Sequence, residues 1–230
     1  MMRWTALLLL ACSAAATKAQ VPDRQFWVDA VPSWRLGTRT GDELEFSLRT
    51  ARGGAAPTQY WATNTVEWAA TPWLGLTAVG TLVESRGAAP GTDFFESRLS
   101  AGARMMWHRP RLRVIEYLRL EHRMLRPVGE VPFTIERARH REQVIVALNR
   151  ASLSEARTIY FLSDAEWFLV HNSHGGWTSN QLRLRAGLGY RLNAHRSFEL
   201  ILNDTQHRGS ITPAFEDADH VLRIRWREAL

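Results

Sequence analysis

Residues 95–123 read F-E-S-R-L-S-A-G-A-R-M-M-W-H-R-P-R-L-R-V-I-E-Y-L-R-L-E-H-R. Phe95, Ser97, Leu99, Ala101, Ala103, Met105 and Trp107 occupy one side of an alternation. Glu96, Arg98, Ser100, Gly102, Arg104 and His108 occupy the other. A period of two marks a β-strand, whose successive side chains leave on opposite faces. After Arg109-Pro110 the alternation restarts, with Leu112, Val114, Leu118 and Leu120 opposite Arg113, Arg119, Glu121 and Arg123. The stretch is a β-hairpin with one apolar face and one charged face. Glu116 falls on the apolar side, and Ile115 and Tyr117 on the charged one. A β-bulge there would restore the phase.

Outward from this hairpin the same pattern recurs. Leu44, Phe46 and Leu48 oppose Glu43, Glu45 and Arg49, and Val144, Val146 and Leu148 share a face. Ile159, Phe161, Ala165, Trp167 and Leu169 oppose Tyr160, Asp164 and Glu166. Leu182, Leu184, Ala186, Leu188 and Tyr190 oppose Gln181, Arg183, Arg185, Gly187 and Arg191, and Leu222, Ile224 and Trp226 oppose Arg223, Arg225 and Arg227. Strands of about nine or more residues suit a tilted crossing of a bilayer, and short turns alternating with longer loops (125–136 and 171–179 among them) suit an outer-membrane barrel. The apolar face, rich in Ala101, Ala103 and Ala186, packs poorly as a core, while arginines populate the other face of nearly every strand. The soluble alternative, a β-sandwich or lipocalin-like periplasmic ligand-binding barrel, would reverse the two faces.

The aromatic residues are an independent test. Trp68, Trp73, Trp107, Tyr190, Phe198 and Trp226 fall near the short turns, and Tyr60, Trp61, Trp167, Phe168 and Trp177 near the longer loops. Two aromatic belts are expected where amphipathic rings meet lipid headgroups. Eleven segments alternate. A barrel with both ends in the periplasm needs an even number, so ten strands are expected, beginning at Asp42–Thr50 with residues 26–36 as a partial strand interrupted by Pro32. Twelve follow if the N-terminal part holds a further crossing.

The chain has 230 residues, 45% of them hydrophobic, and no run of 18 apolar residues that could form a transmembrane helix. Residues 4–16, W-T-A-L-L-L-L-A-C-S-A-A-A, follow Arg3 and end in small residues, the build of a secretory signal peptide. Cleavage after Ala19 is expected, leaving 20–230 as one barrel domain; cleavage after Ala16 and lipoprotein processing at Cys12 are the alternatives. Cys12 is the one cysteine and Lys18 the one lysine, so the mature chain has no thiol chemistry and only arginine as its strongly basic side chain. The full chain's formal charge of +6 is spread through alternating positions with carboxylates nearby, which excludes a nucleic-acid surface built on a basic block.

Phe26-Trp27, Tyr117-Leu118-Arg119-Leu120-Glu121-His122-Arg123 and Arg137-Ala138-Arg139-His140-Arg141 resemble a family of bacterial outer-membrane proteins known only as domain of unknown function 2490. The resemblance covers most of the mature chain. It implies a barrel in the outer membrane of a Gram-negative cell, surrounded by lipid and inserted by the barrel-assembly machinery, and it brings no catalytic residues. Leu230 stands where barrel proteins commonly end on an aromatic residue.

The charged face would line a lumen. Its candidates are Arg98, Arg104, Arg113, Arg119, Arg123, Arg139, Arg141, Arg183, Arg185, Arg191 and Arg223 with Glu96, Glu121, Asp164 and Glu166, joined by Arg225, Glu43, Glu45, Glu67 and Glu199. Such a set can act as a packed polar network or as a porin-like passage for small anionic solutes. His171 and His174 lie three apart in a polar loop, without a further metal ligand fixed by the sequence. Ser173, His174, His207 and Glu216 are the residue types of a lipid-modifying hydrolase, but no motif ties them together. The expectation is a structural or small-solute barrel without cofactor, metal or catalytic residues.

Overall fold

The computed structural model describes residues 23–51, 58–87, 91–171, 175–208 and 215–230; the expected signal peptide lies outside them. Among the described residues there are eleven strands and no helix. They are β1 (Asp23–Arg35), β2 (Thr40–Ala51), β3 (Thr58–Ala69), β4 (Leu74–Arg86), β5 (Phe94–Arg109), β6 (Leu112–Pro127), β7 (Phe133–Ala147), β8 (Thr158–His171), β9 (Trp177–Arg191), β10 (Arg196–His207) and β11 (Glu216–Ala229). Consecutive strands pair antiparallel and the ring is closed. Several run further than the alternation suggested. β6 extends to Pro127 and β7 starts at Phe133, which shortens the loop expected over 125–136.

The all-β barrel class is as expected, but the strand count is eleven rather than ten or twelve. Residues 23–35 are a full first strand. β1 pairs with β2 antiparallel and with β11 parallel, from Asp23 opposite Asp219 to Ser33 opposite Ala229. An odd number of alternating strands closes only if the first and last run the same way. The two ends of the barrel chain therefore lie at opposite mouths. Pro32 is tolerated because it removes rungs without changing register. The β1–β2 ladder passes from Ala30–Phe46 to Ser33–Glu43 with the same offset, as expected of a residue with no N–H to donate.

The apolar face looks outward. Leu99 is 71% exposed and Leu202 64%, whereas Glu96 and Glu166 are buried at 1% and 0%. A soluble barrel would invert these values. Exposed Trp68, Trp73, Trp107 and Trp226 lie toward the mouth formed by connections 36–39, 70–73, 110–111, 148–157 and 192–195. Tyr60, Trp167 and Trp177 are exposed toward the other mouth. Two belt assignments are corrected. Trp61 and Phe168 are one residue out of phase with Tyr60 and Trp167, so they point inward, where arginines stack on them.

The ten-residue connection 148–157 differs from the tight turns around it. Its Leu153 is buried, donates its N–H to the Pro110 carbonyl at 2.7 Å, and packs with Ala147, Tyr160, Leu162 and Ile201. This apolar knot lines the cavity at the short-turn mouth. At the last short turn, Asn193 Oδ1 accepts the N–H groups of His195 and Arg196, both at 2.9 Å, the local bonding that makes Asn a turn residue.

The closure gives a direct test. Val28 and Ile224 are register partners across the parallel seam, within the Cα separation that a disulfide bridges. Val28→Cys with Ile224→Cys in the mature chain is expected to form an intramolecular disulfide, read as a thiol-dependent shift in gel mobility. A ten-strand ring closed by β2 against β11 would leave both thiols free.

Candidate functional site

Alternation delivers one face of every strand to one interior, charged on most strands but uncharged on β4, whose inward residues are Thr77, Val79, Thr81, Val83 and Ser85. Register then decides which carboxylate meets which arginine. The interior cavity has a volume of about 1250 Å³ and draws its lining from both mouths, Gln25, Gln59 and His207 at one and Arg35, Arg39 and His195 at the other. Seventeen arginines and seven carboxylates line it, and four more carboxylates, Asp29, Glu96, Asp164 and Glu166, lie buried against those arginines, so arginine remains in excess. Of the candidates named from sequence, Arg98, Arg104, Arg113, Arg119, Arg123, Arg139, Arg141, Arg183, Arg185, Arg191, Arg223 and Glu121 line the cavity. Glu96, Asp164 and Glu166 are buried and held by those arginines.

A triad on β5 and β6, in which Glu96 accepts from Arg98 at 2.7 Å and Arg123 at 2.5 Å, stands beside two larger ionic clusters. The larger of these spans β6–β9. Glu121 accepts from Arg119 and Arg139, both at 2.7 Å, and from Arg137 at 2.5 Å. Glu166 accepts from Arg139 and lies 3.4 Å from Arg185 and 3.6 Å from Arg183. Asp164 holds Arg185 at 2.6 Å. Each carboxylate is thus shared by more than one guanidinium, or its arginine is shared with another carboxylate. Arginine's planar fork of donors suits such bridging.

The smaller cluster staples the seam. Asp29, 2% exposed, accepts from Arg223 and from Arg225 at 3.3 Å, joining β1 to β11. Glu45 on β2 accepts from the same Arg223 at 2.9 Å. Arg225 reaches Glu199 at 3.4 Å, and Tyr160 donates its hydroxyl to Glu199 at 2.9 Å. Tyr160 has room because Gly189 faces it across the β8–β9 ladder; a Cβ at Gly189 would come within 2.1 Å of the tyrosine ring.

Aromatic rings hold arginines that the carboxylates do not saturate. Arg49 lies between Trp27 and Trp61, at 3.9 and 3.6 Å from the ring centroids. Arg137, Arg139 and Arg183 surround Phe168 at 4.8 to 5.2 Å. Arg183 is also 5.8 Å from Trp27, which links the two clusters. These cation–π contacts substitute partly for hydration in a narrow interior. Among the described residues Arg49, Arg113, Arg141 and Arg191 make no ion pair with a carboxylate. Arg113, Arg141 and Arg191 also keep a buried Nε without a hydrogen-bond partner. Arg113, second in β6, and Arg191, last in β9, place two of these guanidiniums near the short-turn mouth.

Sequence reasoning did not single out Asp29, Arg49, Arg137 and Arg227 as lumen residues. The signal was present: Arg137 and Arg227 lie two residues from Arg139 and Arg225, Asp29 two residues from Trp27, and Arg49 on the same alternating face as Glu43 and Glu45. Of the residues considered for hydrolysis, Ser173, His174 and the Glu216 side chain lie outside the described residues, and His207 lines the lumen. His171 packs edge-on against Trp177 at 5.3 Å. No group of three or more histidines, cysteines or carboxylates among the described residues is arranged to hold a metal ion.

The family described as "Protein of unknown function (DUF2490)" matches residues 24–211, and the chain belongs to that family. No curated protein matches it. Among solved structures it resembles a "Bacterial polysaccharide outer membrane secretin", with a TM-score of 0.51 and 12% identity. The match covers 85% of this chain and 65% of that one, so this chain spans about two thirds of its neighbour's length. At that identity the likeness concerns the fold.

The buried carboxylates give a stability test. Glu166→Gln leaves Arg139, Arg183 and Arg185 around a neutral group. Breaking a buried ion-pair cluster from one side costs about 3–5 kcal/mol, so the variant should unfold at clearly lower urea concentration in detergent or vesicles. Glu84→Gln, which loses only the exposed pair with Arg86, should leave the unfolding midpoint essentially unchanged.

Proposed function

We propose that this DUF2490 protein resides in the outer membrane and is a narrow barrel that admits small anions through an arginine-lined lumen. The observation that carries the reading is the excess of arginines over carboxylates on the cavity wall, with Arg49, Arg113, Arg141 and Arg191 free of carboxylate partners among the described residues. Rings of arginine favour anions in a pore. Outward-facing leucines and aromatic residues at both mouths support a bilayer around the barrel.

The size of the lumen limits what passes. Strands of 12 to 16 residues at about 3.4 Å per residue and a tilt of about 40° span roughly 30–40 Å. A cavity of about 1250 Å³ over that height has a mean cross-section of roughly 35 Å², enough for a small hydrated or partly dehydrated ion. The similar solved structure is named for polysaccharide. In this chain ion pairs and arginine–aromatic contacts run along the wall between adjacent and next-but-one strands and fill much of the interior, which favours small solutes over a polymer. The same lattice favours a second reading, a filled barrel with a purely structural role.

Purified mature protein in planar bilayers separates the two. A salt gradient across the bilayer should give a reversal potential of anion sign. Arg113→Glu with Arg191→Glu should move it toward cation selectivity, with the heat-modifiable folded band on a gel kept as the control. No current at any voltage would leave the filled-barrel reading. Release of the protein from membranes by carbonate would remove the membrane location for both.

A further inference from the structure

The outer wall is not uniformly apolar. On β5 the outward side chains run from Phe95 to Trp107 without a charge. On β6 Glu116 and His122 interrupt the apolar run, and on β7 Glu136, His140 and Glu142 occupy three of four successive outward positions. The β5–β6 and β6–β7 ladders pass through this region without a shift of register. No bulge turns Glu116 inward, contrary to the repair that its phase suggested. Glu116 faces Glu142 across the ladder, Leu118 faces His140, and His122 faces Glu136. His140 Nε2 lies 3.2 Å from Glu116 and 3.8 Å from Glu142, its ring stacks on Trp167 at 5.7 Å, and His122 pairs with Glu136.

This wall does not fit lipid. Six residues separate Glu116 from His122, about 20 Å along the strand and roughly 15 Å of height, whereas the hydrocarbon band of such barrels is about 25 Å tall. Sliding the barrel along the membrane normal therefore keeps at least one of the two clusters in hydrocarbon. His140, midway along β7, is within it in most placements. Ionisable side chains at that depth face protein or water rather than acyl chains.

We propose that the β6–β7 wall, with Trp167 of β8, docks against the same wall of a second copy of the chain. The inference rests on the membrane-spanning reading above. A two-fold axis along the membrane normal brings equal heights together and makes the contact isologous. Such a contact must be self-complementary, and the patch holds both partners of an imidazole–carboxylate pair at the same height. His140 of one copy can meet Glu116 and Glu142 of the other, and the His122–Glu136 pair can do so nearer the loop mouth. A foreign partner of one charge sign would complement only half of each cluster. Leu118 and Leu120, 44% and 63% exposed, supply apolar contact around them.

Single cysteines in the mature chain test this. Ala138→Cys lies at the centre of the proposed contact, and Leu48→Cys lies on β2, on the opposite wall. In isolated membranes, oxidation should convert most of Ala138→Cys to a band of twice the chain mass and leave Leu48→Cys monomeric. Light scattering of the unaltered protein in mild detergent should give the dimer mass. Equal cross-linking at both positions, no cross-linking at Ala138, or a cross-linked band of any other mass would overturn the proposal. A water-soluble maleimide separates its failure from that of the membrane reading: Leu48→Cys labelled in intact membranes sinks the spanning barrel, whereas Leu48→Cys protected with Ala138→Cys uncrosslinked sinks the dimer alone.

Discussion

The interior ion-pair lattice is the constraint on which the rest of the barrel depends. A closed barrel of eleven strands has an interior that side chains largely fill, so its inward charges cannot each keep a hydration shell. They must find one another. Glu166, with no exposed surface, has three guanidiniums within 4 Å, and Glu121 also has three, Arg139 being common to both. A slip of one residue in any strand would move these charges to the outer wall and put leucines in the lumen. The lattice therefore fixes register more strictly than backbone hydrogen bonds, which are equally content with neighbouring registers of the same strand.

The lattice also explains how an odd barrel holds its seam. A parallel pair is slightly less stable per residue than an antiparallel one, and here Pro32 also weakens the neighbouring β1–β2 ladder. Asp29 lies on β1 between these two ladders. Its carboxylate takes Arg223 and Arg225 from β11, and Arg223 goes on to Glu45 on β2. One buried cluster thus ties together the three strands whose backbone pairing is poorest.

Much of this was legible from residues and some was not. Alternation placed Arg98, Arg104 and Arg119 inside and Leu99, Met105 and Trp107 outside, because parity survives any global arrangement. It would also have placed Trp61 and Phe168 inside. Assigning them to the aromatic belts gave nearness to a loop more weight than phase, and each is the second member of a pair whose first member, Tyr60 or Trp167, fills the belt position. The parallel closure was not legible, because β1 and β11 are joined by no turn and no local residue pattern states which way a distant strand runs. Glu116 was legible as an anomaly. Its cause lies in partners from β7, His140 and Glu142, that no window around residue 116 contains.

The surplus of arginine has its own physical logic. If carboxylates saturated every guanidinium, the lattice would be neutral and a passing anion would have to break an ion pair to find a partner. Here Arg49 is held by two indole rings, and Arg191 reaches only the Ala194 carbonyl, at 3.5 Å, while its Nε and that of Arg113 stay without a partner. Their desolvation has already been met by folding, so on the proposed reading an entering anion gains charge-assisted hydrogen bonds without displacing a carboxylate. The paired arginines hold the wall in shape and the unpaired ones leave it cationic. The Leu153 knot sits at the same short-turn mouth as Arg113 and Arg191. On the proposed reading, an apolar knot and guanidiniums without carboxylate partners therefore meet at one mouth, where an anion would be sorted by size and by charge together.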